Sequence, residues 1–413
     1  MPPCQALQIW RGRRKTVESP AFYRVRTVSS SMKGLFLKRP LLLVLLIGLA
    51  LSSVVRADKG SHYETRLITA TDAIVDGNWS DALSDLNSLT ADFPLSRIGH
   101  LLKADLLFSL SGQAHTRPTD PAIAELQKQL RLRWSHAQSS EAKEKLVPAK
   151  LLRISDRIPF VLYADLPASR LHLFAQQHGA LVRLSDYYIT MGRAGSGKER
   201  EGDLKTPVGV YRINDYIPGG QLHARYGAGA LTTNYPNSLD RFLNRTGYGI
   251  WLHGTEPGWI NRGPRASEGC LTLSNPDFEQ LLTQLGSHQD IPIMIDDVPQ
   301  WIKAQDLHQA KDKVLASITA SASRITASSP AHRDALTLGY GLDEGAQLTD
   351  LVRYPGKQER VFARWISTSQ SGGALTVEQY WHHNGEGGWE ILLQTSEPIP
   401  APERLTADLV QSD

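Results

Sequence analysis

Residues 251–275 read WLHGTEPGWINRGPRASEGCLTLSN. A short apolar strand ends at His253 and Gly254 follows at once. A glycine- and proline-rich connection then leads to Ser267, Glu268, Gly269 and Cys270, before a second strand-like run, Leu271–Leu273. A thiol becomes a working nucleophile when a neighbouring imidazole takes its proton and holds the thiolate. It also needs backbone N–H groups aimed at the oxyanion, and a preceding glycine lets backbone approach a substrate closely. Two strand ends joined by this connection allow the two side chains to meet. A His and a Cys seventeen positions apart are common, however, so the pair must be weighed with the rest of the chain.

The chain has two cysteines, Cys4 and Cys270. The first 57 residues hold ten Lys/Arg and one acidic residue, Glu18. Lys33, Lys38 and Arg39 precede an apolar run, Leu41–Leu51, and then Ser52, Ser53, Val54, Val55, Arg56 and Ala57. That order is the charged, apolar and small-residue sequence of a secretory signal, with cleavage expected after Ala57. An uncleaved anchor is the alternative, although the run is short of the roughly 20 apolar residues that span a bilayer. Met32 would make a tidier start than Met1. The expected location is the periplasm or cell envelope. Cys270 is then the one exported thiol and cannot form an internal disulfide. It is either a reactive thiol or a buried, inert one. Once the first 57 residues are set aside, the chain's 45 basic and 42 acidic residues become a net-acidic body. Such a body lacks the basic footprint of a nucleic-acid binder.

Apolar spacing of three and four predicts helices over Glu64–Val75, Trp79–Leu89 and Ile98–Leu110, and a more charged helix over 121–147. The segment 58–150 reads either as a tetratricopeptide-like hairpin or as a helical cap on the next domain; a stable repeat array needs at least three units. From Ile158 the texture turns to strands: Phe160–Ala164, Arg170–Phe174, Leu181–Leu184, Asp186–Thr190, Tyr248–Leu252 and Ile291–Ile295. Asn275 and Pro276 suit the start of a helix. These elements define a β-rich domain over 157–297. A connecting helix over 302–326 and strands at 360–367, 374–382 and 389–395 predict a small α+β module within 302–413. The pair His382 and His383 flanks a hairpin with no further ligands near it, and reads as structural.

The decisive stretch resembles the L,D-transpeptidase (YkuD-type) family, whose pattern is His-Gly followed some fifteen residues on by Ser/Thr-His-Gly-Cys. Upstream, GDLKTPVGVY at 202–211 is similar to that family's Gly-Asp-x-x-Thr-Pro-x-Gly-x-Tyr element. The resemblance covers about 157–297. It implies Cys270 as nucleophile and His253 as general base, acting on peptidoglycan stem peptides through a thioester. It implies an oxyanion hole from the backbone around Gly269 and Cys270, with Ser267 in support, and the Gly254 carbonyl orienting the imidazole. The acceptor is a second stem peptide or a wall-linked protein lysine. No metal or cofactor is implied.

Two departures stand out: Glu268 where most of the family has His, and Thr272 where most has Arg. A carboxylate turned toward the thiol would oppose thiolate formation, and loss of the Arg removes an anchor for a substrate carboxylate. Arg262 and Arg265 are candidate substrate-binding replacements, or else solvated loop charges. The expected chain is therefore multidomain: a helical N-terminal segment, a β-rich L,D-transpeptidase-like catalytic domain and a small α+β C-terminal module. Transpeptidation is the leading expectation. Release of a wall-linked peptide or protein with water as acceptor, and non-catalytic wall binding, are the alternatives. The sequence leaves oligomeric state open.

Overall fold

A computed structural model describes residues 62–112, 120–143, 145–177, 179–260, 262–287, 290–328, 346–368, 373–385 and 388–399. The expected export segment, 1–57, lies outside them. The catalytic sheet has eight strands. In chain order they are β3 (Phe160–Asp165), β4 (Arg170–Gln177), β5 (Ala180–Tyr188), β7 (Gly209–Pro218), β8 (Gly229–Thr233), β9 (Trp251–His253), β11 (Leu271–Thr272) and β12 (Ile291–Asp296). Their spatial order is β11-β9-β8-β7-β12-β3-β4-β5. Two short strands, β6 (Met191–Gly192) and β10 (Arg265–Ser267), pair beside it. The separate strands expected at 181–184 and 186–190 are one strand, β5, because a bulge opposite Leu173 and Phe174 carries the pairing through.

The sheet is apolar on both faces, which explains its near-continuous hydrophobic strands. Leu162, Leu173, Ile293 and Leu252 face helix α6 (Asn275–Leu285) with Phe278 and Leu281. Val161, Tyr163, Phe174 and Met294 face the other way. There they meet Val352, Tyr354, Phe362 and Tyr380 of a second sheet. That sheet contains β14 (Gln347–Tyr354), β15 (Arg360–Thr368), β16 (Ala374–His383), β17 (Trp389–Pro398) and the short β2 (Leu151–Arg153), in the order β17-β16-β15-β14-β2. Helix α7 (Ala304–Ser328) covers its far face through Val314 and Ile318 against Val361, Trp365 and Trp381. The module is therefore α+β and stacks on the catalytic sheet as a layer. Sequence reading missed β14 and β2.

Helices α1 (His62–Asp76), α2 (Trp79–Asp92), α3 (Arg97–Leu110) and α4 (Pro121–Lys143) share a core of Tyr63, Leu67, Leu86, Leu89 and Ile98. The helical stretch expected to reach residue 150 stops at Lys143. Leu146–Pro148 is strand β1, antiparallel to β13 (Trp301–Lys303).

The helices join the catalytic sheet through buried charge. Glu64 of α1 pairs with Arg170 of β4, Nη1 lying 3.0 Å from Oε2, and with Arg133 of α4 at 3.3 Å. Asp186 of β5 sits 2.7 Å from His136 Nε2 and 3.4 Å from Arg170. Burial alone would push Glu64 and Asp186 upward, but the arginines, and for Asp186 the hydrogen bond from His136, outweigh it and hold both carboxyls below their usual range. Removing one partner of a buried pair strands the other's charge. Glu64→Gln is expected to destabilise the fold by roughly 3 kcal/mol. The contribution of Glu64 is complete above its ordinary value of 4.5 and fades as the pH falls through its depressed folded value. Urea unfolding at pH 7 and pH 3 checks this: the gap between parent and variant should shrink at the lower pH.

Candidate active site

Strand β11 runs parallel to β9, with Leu271 opposite Leu252 and Thr272 opposite His253. Cys270, immediately before β11, is thus carried beside the end of β9. It is the one free cysteine among the described residues and is partly exposed, whereas His253 is buried. His253 Nδ1 lies 2.7 Å from the Gly254 carbonyl. A carbonyl only accepts, so Nδ1 carries the proton and Nε2 is left as the free base. The Tyr226 ring stands edge-on to the imidazole, centroids 4.9 Å apart, and also packs on Trp251.

Asn275 locks the backbone behind the imidazole. Its Oδ1 accepts from the N–H groups of Ala228 and Thr255, each at 3.0 Å, and its Nδ2 donates to the Thr255 carbonyl at 2.9 Å. A Cβ on Gly254 would lie 2.2 Å from Asn275 Oδ1, so only glycine fits after His253. The helix cap expected at Asn275 falls one residue earlier, where Ser274 Oγ accepts from the Asp277 N–H. That frees the Asn275 side chain for this clamp.

The peptide before Cys270 is held from two sides. Thr206 Oγ1 accepts from the Gly192 N–H at 2.9 Å and donates to the Gly269 carbonyl at 2.8 Å. That fixes the Gly269–Cys270 peptide with the Cys270 N–H pointing the opposite way, where it has no partner among the described residues. Ser267 Oγ accepts from the Gly269 N–H at 3.1 Å and donates to the Cys270 carbonyl at 2.6 Å. The Gly269 N–H, counted from sequence as part of an oxyanion hole, is therefore already engaged. Gly269 has φ +136°, and a Cβ there would strike the Lys205 carbonyl at 2.8 Å. The loop that presents Thr206 is itself built on Asp203. That carboxylate accepts from the N–H groups of Glu199, Arg200 and Lys205 and from Lys198 Nζ, and these bonds overcome burial to keep it well below the usual range.

Burial raises the Cys270 thiol, more than a backbone hydrogen bond from Trp251 lowers it. Its Sγ–H donates to the Gly249 carbonyl at 3.3 Å. Burial likewise lowers His253, to about 4. The free site therefore holds a protonated thiol and a neutral imidazole. Glu268 points outward, 72% exposed, with Arg193 3.3 Å away. Thr272 is buried, and its hydroxyl has no hydrogen-bond partner. Arg262 is paired with Glu256, and its charge acts on both His253 and Cys270. Arg265 is exposed, its guanidinium over Gly195. The stretch 212–247 is largely hairpin and turns: a side chain on Gly219 would strike the Gly227 carbonyl, and one on Gly227 would strike Asn275 Oδ1 and the Thr255 carbonyl.

Among the described residues no group of three His, Cys, Asp or Glu side chains is arranged to hold a metal, and no helix is long and apolar enough to cross a membrane. A cleft of about 500 Å³ lies between β7 and the C-terminal sheet and is lined by Arg212, Asp350, Arg364 and Glu378; neither Cys270 nor His253 borders it.

Residues 159–295 match the family model of the YkuD-type L,D-transpeptidase catalytic domain, a family that acts on peptidoglycan stem peptides. No curated protein matches the chain. Among solved structures, Bd1075 of Bdellovibrio bacteriovorus is 20% identical, with a TM-score of 0.48 over 62% of this chain and 100% of that one. The helical cell shape determining protein Pgp2 of Campylobacter jejuni is also 20% identical, with a TM-score of 0.44 over 60% of this chain and 94% of its own.

Two measurements follow from the geometry. With a base at about 4, acylation of the thiol should hold its neutral-pH rate down to about pH 5 and fall below that as His253 protonates. An acid limb near 6.5 in a pH–rate profile would contradict the buried imidazole. Thr272→Val replaces an unpaired buried hydroxyl by a methyl of the same shape, and should raise stability by about 1 kcal/mol in urea unfolding.

Proposed function

We propose that this protein is a cysteine acyltransferase of peptidoglycan, with Cys270 as nucleophile and His253 as base. The observation that carries the reading is the Gly269–Cys270 peptide, fixed by Thr206 so that the Cys270 N–H is free beside the thiol. His253 Nε2 takes the thiol proton, and Sγ attacks the carbonyl of the third residue of a stem tetrapeptide. The tetrahedral oxyanion draws on the Cys270 N–H. The C–N bond then breaks, the terminal D-Ala leaves with the proton from His253, and a thioester remains. An acceptor amine of a second stem peptide attacks that thioester, gives its proton to His253, and the thiol is restored.

Two features favour catalysis over mere wall binding. Glu268 is turned to solvent beside Arg193, so its charge raises the thiol less than burial does. The imidazole is neutral with its Nδ1 anchored, the state a general base requires. The departure at Thr272 bears on the acceptor: a buried Thr gives a substrate carboxylate no cation there, and water in place of the second amine would release the tetrapeptide's D-Ala without a crosslink.

The test exposes the full chain to a carbapenem, whose strained amide traps an acyl-enzyme, and reads intact mass. An adduct is expected on the parent and none on Cys270→Ala, with His253→Ala acylating about 100-fold or more slowly. Parent protein without an adduct, or an adduct that persists in Cys270→Ala, would sink the assignment. Purified sacculi then separate the two acceptors: D-Ala is released in either case, crosslinked dimers mark transpeptidation, and tripeptide monomers without new crosslinks mark hydrolysis.

A further inference from the structure

A diverted glycine decides where the Cys270 sulfur rests. The Leu273 N–H donates to the His253 carbonyl at 2.9 Å, with Leu271 opposite Leu252 and Thr272 opposite His253. Extended back by one step, this parallel register would set the Gly269 N–H on the Gly249 carbonyl. It would also set the Trp251 N–H on the Gly269 carbonyl. Among the described residues neither bond forms. The Gly269 N–H goes to Ser267 Oγ, and the Gly269 carbonyl takes the Thr206 hydroxyl. Glycine permits that rotation, at φ +136°. Two backbone groups at the start of β9 thereby lose their ladder partners, and leaving such groups buried and unpaired is costly.

The thiol fills that gap. An S–H is a weak donor and its sulfur a weak acceptor, so one thiol can serve both groups. Cys270 Sγ–H donates to the Gly249 carbonyl at 3.3 Å, and the Trp251 N–H donates to the sulfur. The side chain of Cys270 thus stands in for the two groups that Gly269 withholds. Among the described residues no hydrogen bond joins Sγ to His253, whose Nδ1 is held by the Gly254 carbonyl. The resting sulfur is therefore bonded to the backbone of the imidazole's strand and not to the imidazole. An extended peptide can add its own N–H to such a strand edge, and would compete with the S–H for the Gly249 carbonyl.

We propose that the Gly249 carbonyl and the Trp251 N–H clasp the resting thiol away from its base, and that an N–H of the arriving peptide takes the Gly249 carbonyl and releases the thiol to His253. Ser267 and Thr206 are then positioning residues, because they create the clasp by diverting Gly269. The inference rests on the reading of Cys270 as the nucleophile. Release makes and breaks no covalent bond: Sγ turns about Cα–Cβ, and its proton then faces Nε2.

The S–H stretching band tests this, because donation to a carbonyl lowers its frequency. It is read as the infrared difference between the full chain and its Cys270→Ala form, which cancels the contribution of Cys4. The parent band should lie below that of a free thiol, and His253→Ala should leave it in place. Ser267→Ala frees the Gly269 N–H to return to the Gly249 carbonyl, and should move the band to the free-thiol position. Ser267→Thr keeps the hydroxyl and should hold the band where the parent has it. Saturating L-Ala-D-Glu-diaminopimelate-D-Ala, added to the slow His253→Ala chain, should also move the band to the free-thiol position. A parent band at the free-thiol position, or one that moves when His253 is removed, overturns the clasp. A band that stays in Ser267→Ala overturns the positioning role, and one unmoved by bound peptide overturns the release. Each of these results leaves the nucleophile standing, since the carbapenem adduct decides that separately.

Discussion

Strands β9 and β11 run parallel, and parallel neighbours cannot be joined by a hairpin; they need a crossover of a dozen or more residues. That requirement shapes the site. The register fixes Thr272 beside His253 and so brings the residue before β11 alongside the imidazole strand. The crossover, 254–270, then has to travel out and back across the top of the sheet. Left in solvent it would be a long irregular loop. Here Ile260 anchors it in the helical core, and Tyr188, Thr190 and the β6–β10 pair hold its carbonyls. The helical segment is thus needed to give the loop a surface to lie on.

A second constraint is dryness. The imidazole is buried against Tyr226, which in turn packs on Trp251, and burial disfavours its charged form, just as it disfavours the thiolate. A pair in which both partners are kept neutral differs from a preformed thiolate–imidazolium pair. It resists oxidation, because the thiolate is the reactive species, and it depends on a bound substrate to make the ion pair worthwhile.

Much of this was legible in the residues. The alternating and apolar runs gave most of the catalytic strands, and the His-Gly and Gly-Cys steps marked the candidate site, because a glycine that cannot be replaced is visible as a glycine. Thr206 was visible within a recognisable element, although its bond to the Gly269 carbonyl was not. Asn275 and Tyr226 carried no local signal. Asn275 read as a helix start, and its clamp exists only because the fold returns 227–228 and 255 to it. Strand β2 is three residues long and too short to have a period, and β14 carries an Asp350 that breaks its apolar run.

The interleaving of the two sheets has a consequence for how the chain reaches its final state. Strand β2 precedes the catalytic sheet in sequence yet completes the C-terminal one, where Leu151 lies opposite Val352. Closing that contact encloses a loop of about 200 residues, an entropic debt met late. Until the last strands emerge, Val161, Tyr163, Phe174 and Met294 present a bare apolar face. A nascent chain therefore keeps this adhesive face uncovered for most of its synthesis, which favours folding that waits for the C-terminal strands.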